Sequence, residues 1–123
     1  MIMENKIDFF ERWQGYTPEK KQAWIQSITN RIVADTPSEI VLWCIEDARH
    51  GWAIVPKKAI LLLGLKISRC SYEDDGLVFV EEDRDLYFFM EKMKEMGKTI
   101  VFIFQEDGYS SRIRNFNSYK ESQ

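Results

Sequence analysis

The sequence predicts an α+β fold, in which two or three N-terminal helices pack on a small mixed β-sheet and a C-terminal strand–helix–strand unit completes the domain. Three observations predict it. Helical apolar spacing dominates the start of the chain, short β-branched and aromatic runs follow, and an amphipathic segment separates the last two runs. With 123 residues, we expect one globular domain over residues 1–123, ending in a polar tail at about 108–123.

Two helices are predicted near the N-terminus. Residues 6–14 carry apolar side chains at helical spacing, and Gly15 is suited to end that helix. The segment 17–19 (Thr-Pro-Glu) supplies a cap, a proline at the first helical position and an acid in the first turn. The second helix is therefore predicted over about 18–34.

The next segment has two interpretations. Residues 36–39 (Thr-Pro-Ser-Glu) form a capping box, and Gly51 lies where a C-terminal cap belongs. Residues 40–45 are rich in strand formers, which would suit a buried strand. Because two independent end signals agree, we favour a helix here.

Strands are expected from Trp52 onward. Residues 52–55 form a short apolar run, and residues 59–65 could be either a second strand or a short buried helix. Residues 74–76 (Asp-Asp-Gly) signal a turn before a strand at 77–80.

The C-terminal half predicts a crossover unit. After the strand at 77–80, residues 86–96 form an amphipathic helix that Gly97 ends, and residues 99–104 predict a buried strand. Two strands joined through a helix usually lie parallel in one sheet. In the polar tail, Ile113 and Phe116 are expected to hold part of the chain against the domain.

One short acidic stretch dominates the charge pattern. Residues 73–85 hold seven carboxylates and one arginine, a balance of −6 in a chain whose total is −3. Residues 81–83 follow one predicted strand and residues 106–107 follow the other, so parallel strands would bring both groups to one sheet edge. Concentrated charge of this kind steers charged partners.

Three interpretations of the acidic stretch stand side by side. It could be a turn and a helix start only, a Mg²⁺ or Mn²⁺ site, or a surface for a basic protein. No ligand spacing matches a known calcium loop, so we predict no metal site and no cofactor. The predicted partner-binding residues are Tyr72, Glu73, Asp74, Asp75, Glu81, Glu82, Asp83, Asp85, Glu106 and Asp107.

No catalytic residue is predicted. Cys44 and His50 would not share a face of the favoured helix, and Cys44 falls on its apolar side, which predicts an inert core thiol. One histidine and two separated cysteines do not support a zinc site. Trp43 is expected to be partly exposed, and phosphate-binding glycine motifs are absent from the sequence.

Composition narrows the class of function. The sequence has no signal-peptide pattern, no apolar run of membrane-spanning length and no basic patch for nucleic acid, so we expect a cytoplasmic protein without membrane or nucleic-acid partners. We expect a non-catalytic binding protein for a basic protein partner, most concretely an immunity or inhibitor protein that neutralises a toxin or nuclease. The alternatives are a small metal-dependent hydrolase using strand-end carboxylates and an acidic secretion or assembly chaperone. The oligomeric state is left open.

Overall fold

The structure, a computed structural model, describes residues 7–121. Within them the fold is α+β, as predicted, and no helix is long and apolar enough to cross a membrane. The helices are α1 (Phe9–Gln14), α2 (Pro18–Val33), α3 (Lys57–Leu63) and α4 (Asp85–Glu95), and a 3-10 turn spans Arg112–Asn115. The strands are β1 (Glu39–Glu46), β2 (Gly51–Pro56), β3 (Tyr72–Asp74), β4 (Leu77–Glu81), β5 (Thr99–Glu106) and β6 (Asn117–Ser118).

The six strands form one mixed sheet in the order β5-β1-β2-β4-β3-β6. Strands β1 and β5 are parallel, and every other neighbouring pair is antiparallel. It follows that β4 and β5 point the same way, as the crossover prediction requires. They are not neighbours, however, because β1 and β2 lie between them.

The two N-terminal helices are confirmed with small changes at their ends. The Asp8 carboxylate caps α1, which begins at Phe9, and residue 6 of the predicted helix lies outside the described residues. The Thr17 hydroxyl accepts a hydrogen bond from the amide of Lys20 and starts α2. Both starts follow from short polar side chains satisfying the free amides of a first helical turn.

The helix predicted after the capping box is wrong, because residues 39–46 form strand β1. The carbonyl of Ser38 accepts a hydrogen bond from the amide of Thr99, so the chain enters a strand ladder where a cap was expected. β1 is flanked by strands on both sides, and Ile40 and Leu42 are buried beneath α4. Burial of the β-branched run on a central strand outweighs the local capping signal.

The secondary structure or the burial of two other segments depends on their position in the fold rather than on their local sequence. Of the two interpretations of residues 59–65, helix is correct for most of the segment, because α3 spans Lys57–Leu63 and Gly64 ends it in the left-handed region at φ 67°. The strand at 99–104 exists and extends to Glu106, but it is an edge strand with alternating exposure rather than a buried one. The apolar sequence of this strand is therefore not evidence that the strand is buried.

The core lies on both faces of the sheet. One face, called here the α4 face, packs Ile40, Leu42, Val55 and Val80 against Phe89 and Met93 of α4. The other, called the α1 face, packs Ile45, Trp52, Ile54 and Phe79 against Phe9, Phe10 and Trp13 of α1. Ile113 is fully buried on the α1 face and Phe116 packs beside it, so the tail is held down as predicted.

Candidate functional site: a carboxylate row at one end of the sheet

A row of carboxylates crosses the carboxyl ends of three strands. In the strand register Glu106 of β5 is level with Glu46 of β1, and Glu46 is level with Gly51 of β2. The amide of Glu82, just after β4, donates to the carbonyl of Gly51 at 3.0 Å and continues the line. Since neighbouring strands lie about 4.8 Å apart, Glu46, Glu82 and Glu106 form one row across the sheet on the α4 face. We call these three residues the carboxylate row.

Because Gly51 has no side chain, the side chains of Glu46 and Glu82 can occupy the space beside it. A Cβ at position 51 would fall 2.8 Å from Oε1 of Glu82 and 3.5 Å from Cγ of Glu46. Partial burial, together with the charges of Asp83, Glu81 and Glu46, raises the pKa of Glu82, although His50 opposes the shift. Glu82 and Glu46 of the row therefore lie close enough to repel one another.

Arginines neutralise two carboxylates, Asp47 and Asp107, on the α1 face of the same sheet end. The buried carboxylate of Asp47 accepts from Arg114 at 2.7 Å and 3.2 Å, which lowers the pKa of Asp47. Asp107 accepts from Arg112 and Ser111, and these bonds lower the pKa of Asp107 although burial opposes the change. Both arginines come from the polar tail, whose fold against the sheet brings them to these acids.

The α4 face has no such neutralisation. None of the ion pairs between residues 7 and 121 involves Glu46, Glu82, Asp83 or Glu106. Of these four, Glu82, Asp83 and Glu106 are exposed and Glu46 is half-buried. One end of the sheet therefore presents uncompensated negative charge from Glu46, Glu82 and Glu106 on the α4 face.

His50 adjoins the row from the β1–β2 loop. Its Nδ1 lies 3.8 Å from Oε2 of Glu81, too far for a hydrogen bond, and this buried atom has no hydrogen-bond partner among the described residues. Glu81 in turn accepts from the amide of Asp83 at 3.1 Å. The potential ligand atoms of His50, Glu81 and Asp83 lie within 4.8 Å of one another. Imidazole and carboxylate ligands of this kind suit Zn²⁺ or Mn²⁺.

Other residues of the acidic stretch are engaged in internal contacts. Glu73 pairs with Lys57 at 2.7 Å and accepts from the amide of Lys120. Asp75, at φ 55°, accepts from Lys21 at 2.7 Å and from Nε1 of Trp13 at 3.0 Å. These two carboxylates fasten β3 and its turn to neighbouring helices and to the tail.

Asp85 is 1% exposed. It accepts from the Ser68 amide, the Ser68 hydroxyl and the Ser71 hydroxyl, and thereby holds the loop before β3 against the start of α4. Tyr72 is half-buried and packs edge-on against Trp52. Both residues belong to the interior contacts of the domain.

Asp74 is exposed, but it lies at the opposite end of β4 from Glu81–Asp83. Partial desolvation and the neighbouring Asp75 raise the pKa of Asp74, although Lys21 opposes the shift. A strand of this length separates the two groups by on the order of 15 Å. The structure thus divides the ten predicted residues and brings together Glu81, Glu82, Asp83, Glu106 and Asp107 at one end.

Sequence reasoning missed Glu46, His50 and Asp47 at this site. The helix predicted through residues 39–46 removed β1 from the sheet, and with it the level position of Glu46 beside Glu106. The available signal was the Asp-Ala-Arg-His-Gly segment 47–51, which is a plausible hairpin loop between two apolar runs. The Asp47 carboxylate indeed accepts from the amides of Arg49 and His50 and shapes that loop.

Cys44 lies beside the row and is buried. Burial and the charges of Glu46 and Glu82 raise the pKa of Cys44 to about 11. The prediction that Cys44 faces the interior is confirmed, although Cys44 lies on a strand rather than a helix. A thiol in this environment is protonated at neutral pH and is a poor nucleophile.

An open groove of about 940 Å³ lies away from the row, between residues 64–68 and α4. Leu65, Ile67 and Phe88 give it an apolar floor, and lysine and glutamate side chains of α4 form its rim. No histidine or buried carboxylate lines this groove. It lacks the converging polar groups that distinguish a ligand site from a surface depression.

Comparison of the chain with protein-family models, with curated proteins and with solved structures found no significant match.

Proposed function

We propose that this chain is a non-catalytic binding protein whose carboxylate row, together with Asp83, accepts lysine and arginine side chains of a basic protein partner. The observation that supports the proposal is the uncompensated charge on the α4 face of the sheet end. A cationic partner would relieve the repulsion within the row. Carboxylates also make strong, charge-assisted hydrogen bonds to arginine and lysine.

The contrast between the two faces strengthens this interpretation. On the α1 face the fold supplies Arg112 and Arg114 to Asp107 and Asp47. On the α4 face it leaves Glu46, Glu82 and Glu106 without a cation, although such crowding destabilises the isolated protein. Retained repulsion of this kind is typical of a surface whose charge serves binding.

The most concrete form of the proposal is an inhibitor or immunity protein that neutralises a basic toxin or nuclease. Such a protein needs a rigid presentation of carboxylates in place of nucleic-acid phosphates. Backbone pairing of β1, β2 and β4 fixes the positions from which the row projects. Rigid presentation lowers the ordering cost of binding.

The test uses surface plasmon resonance with whichever basic protein a pull-down with this chain recovers. The double variant Glu46→Gln, Glu82→Gln should lower the association rate constant at low salt by about tenfold, because paired opposite charges accelerate encounter. Asp74→Asn, which removes an exposed carboxylate at the far end of β4, is the matched control and should change the rate little. Equal association rates for the two variants would contradict the proposal.

A second candidate function, a metal-dependent hydrolase, is favoured by one observation. The ligand atoms of His50, Glu81 and Asp83 converge within 4.8 Å. Calorimetric titration with Zn²⁺ and Mn²⁺ distinguishes the two proposals. Stoichiometric binding at about micromolar concentration or tighter, lost in His50→Ala, would favour the metal-dependent function.

A further inference from the structure

The two edges of the sheet differ sharply in length and polarity. One edge is β6, with two polar residues, Asn117 and Ser118. The other is β5, with eight residues and no charge between Thr99 and Gln105. Within residues 7–121, no strand pairs with the outer side of β5. Proteins usually protect a long exposed edge with charges, prolines or bulges, and β5 has neither charge nor proline in its central part.

Apolar side chains continue from this edge onto both faces of the sheet. On the α1 face Val101 is 41% exposed and Ile103 is 40% exposed, and Val41 of β1, level with Val101, is 46% exposed. On the α4 face Phe104 is 60% exposed. An uncharged edge flanked by exposed apolar side chains is suited to pairing with another strand.

The sequence of β5 is self-complementary about Phe102. Residues directly opposite each other on antiparallel strands project to the same face of the sheet. The two-fold axis that relates two copies of β5 must therefore lie between the two copies of a single residue. With the axis at Phe102, Val101 lies opposite Ile103 of the other copy. The remaining pairs match equally well, with Ile100 opposite Phe104, Thr99 opposite Gln105, and Phe102 opposite itself.

The adjacent registers match less well. With the axis at Ile103, Ile100 would lie opposite the carboxylate of Glu106 and Val101 opposite Gln105. With the axis at Val101, Lys98 would lie opposite Phe104. The axis at Phe102 makes Glu106 level with Lys98, but the buried Lys98 ammonium already donates to the carbonyls of Arg31 and Pro37, so the choice of register rests on the apolar pairs. Cross-strand pairs of matched character stabilise a sheet, and mismatched ones do not.

We propose that β5 is a homodimer interface, in which two copies of this chain pair antiparallel about Phe102 and form one continuous sheet. This inference does not depend on the proposed partner surface. An axis perpendicular to the sheet keeps each α1 face beside the other copy's α1 face, so the exposed Val101 and Ile103 side chains of both copies meet. It also directs the two carboxylate rows to opposite ends of the dimer, where Glu46 and Glu82 lie outside the new strand pair.

The test is sedimentation equilibrium of the full chain, with substitutions whose effects depend on which residues of β5 lie opposite each other in the dimer. Wild type should be dimeric at about 100 µM, since mass action favours association at high concentration. Val101→Lys or Ile103→Glu alone should weaken the dimer by about tenfold or more, because each places a charge opposite an apolar side chain. The double variant V101K/I103E should regain most of the lost affinity, because this register places each new lysine opposite a new glutamate.

A matched control and a second measurement complete the test. Leu62→Lys, at a 64% exposed position on α3, should leave the dimer unchanged. In the wild type, amide hydrogen exchange at residues 99–105 should be slower at about 100 µM than at about 1 µM. This second measurement stands even if a β5 variant fails to fold.

Three results would overturn the proposal. The first is a wild type that is monomeric and whose amide exchange in β5 does not change with concentration. The second is a dimer that Leu62→Lys weakens but that the single β5 variants leave unchanged. The third is a V101K/I103E variant whose dimer affinity is as low as that of the single variants.

Discussion

Glu82 has an unfavourable environment at neutral pH. Its pKa in the folded protein is raised by burial and by the carboxylates around it. A raised pKa means that the folded state takes up a proton more readily than the unfolded state, so the ionised form costs stability. As pH falls through the raised pKa, the proton is taken up and that cost disappears.

Glu82→Gln should therefore stabilise the protein at pH 7. The gain should be within about 1 kcal/mol, because Glu82 is exposed and solvent screens its interactions. It should shrink as the pH is lowered through the carboxyl range. Urea unfolding at several pH values measures the effect, with Glu91→Gln as the control for an exposed glutamate outside the row. A loss of stability at pH 7 would mean that Glu82 has an internal partner.

The two cysteines should differ in reactivity. With a pKa of about 11, only about one Cys44 thiol in a thousand is ionised at pH 8, and the side chain is also buried. Cys70 is exposed. Iodoacetamide should therefore label Cys70 in the native protein and spare Cys44, as peptide mass spectrometry can show. Rapid labelling of Cys44 would be inconsistent with its burial in β1.

At the scale of elements, the adjacent Asp74 and Asp75 have different roles although they form one turn between β3 and β4. Asp75 connects that turn to α1 through Nε1 of Trp13 and to α2 through Lys21. Its positive φ also suits Asp better than most residues. Asp74 makes no ion pair among the described residues and is exposed.

Asp75→Ala should cost about 1–3 kcal/mol of unfolding free energy, because it removes both contacts and places alanine in the left-handed region. Asp74→Ala should change stability by about 0.5 kcal/mol or less, as for most exposed substitutions. Chemical denaturation of the pair measures the difference. Similar losses in both variants would show that the contacts of Asp75 contribute little.

The sequence predicts those elements whose local signals agree with their surroundings. Helix α2 has a cap, a proline start and an apolar face, and it appears with nearly its predicted bounds. Strand β1 has helix end signals around a strand-forming run, and only its neighbours β2 and β5 decide between them. Local patterns contain no information about which distant strands are available for pairing.

The same limit applies to the candidate site. The position of Glu106 and Glu82 at one sheet end follows from the crossover prediction. The addition of Glu46 and His50 depends on the β1–β2 hairpin, which the helix prediction excluded. The internal contacts of Glu73, Asp75 and Asp85 depend on lysines, serines and a tryptophan distant in the sequence. Charge density in the sequence therefore overstated the extent of the acidic surface.

At the scale of the whole molecule, the charge is divided between structural and uncompensated groups. Arginines of the tail neutralise Asp47 and Asp107 on the α1 face, and lysines of the helices neutralise Glu73 and Asp75 along β3 and its turn. The end of the sheet on the α4 face is left negative. A partner with a compact basic patch would be steered to that end, and the attraction would weaken as salt screens it.

The most direct test of this claim is a nuclear magnetic resonance titration of the isotopically labelled protein with an oligoarginine peptide. The amide shifts should centre on Glu46, Glu82 and Asp83, and they should largely disappear in 1 M salt, where the Debye length is about 3 Å. The double variant Glu46→Gln, Glu82→Gln should lose most of the response, and Asp74→Asn should retain it. Shifts that centre on residues 74–76, or that spread evenly over the surface, would contradict the account.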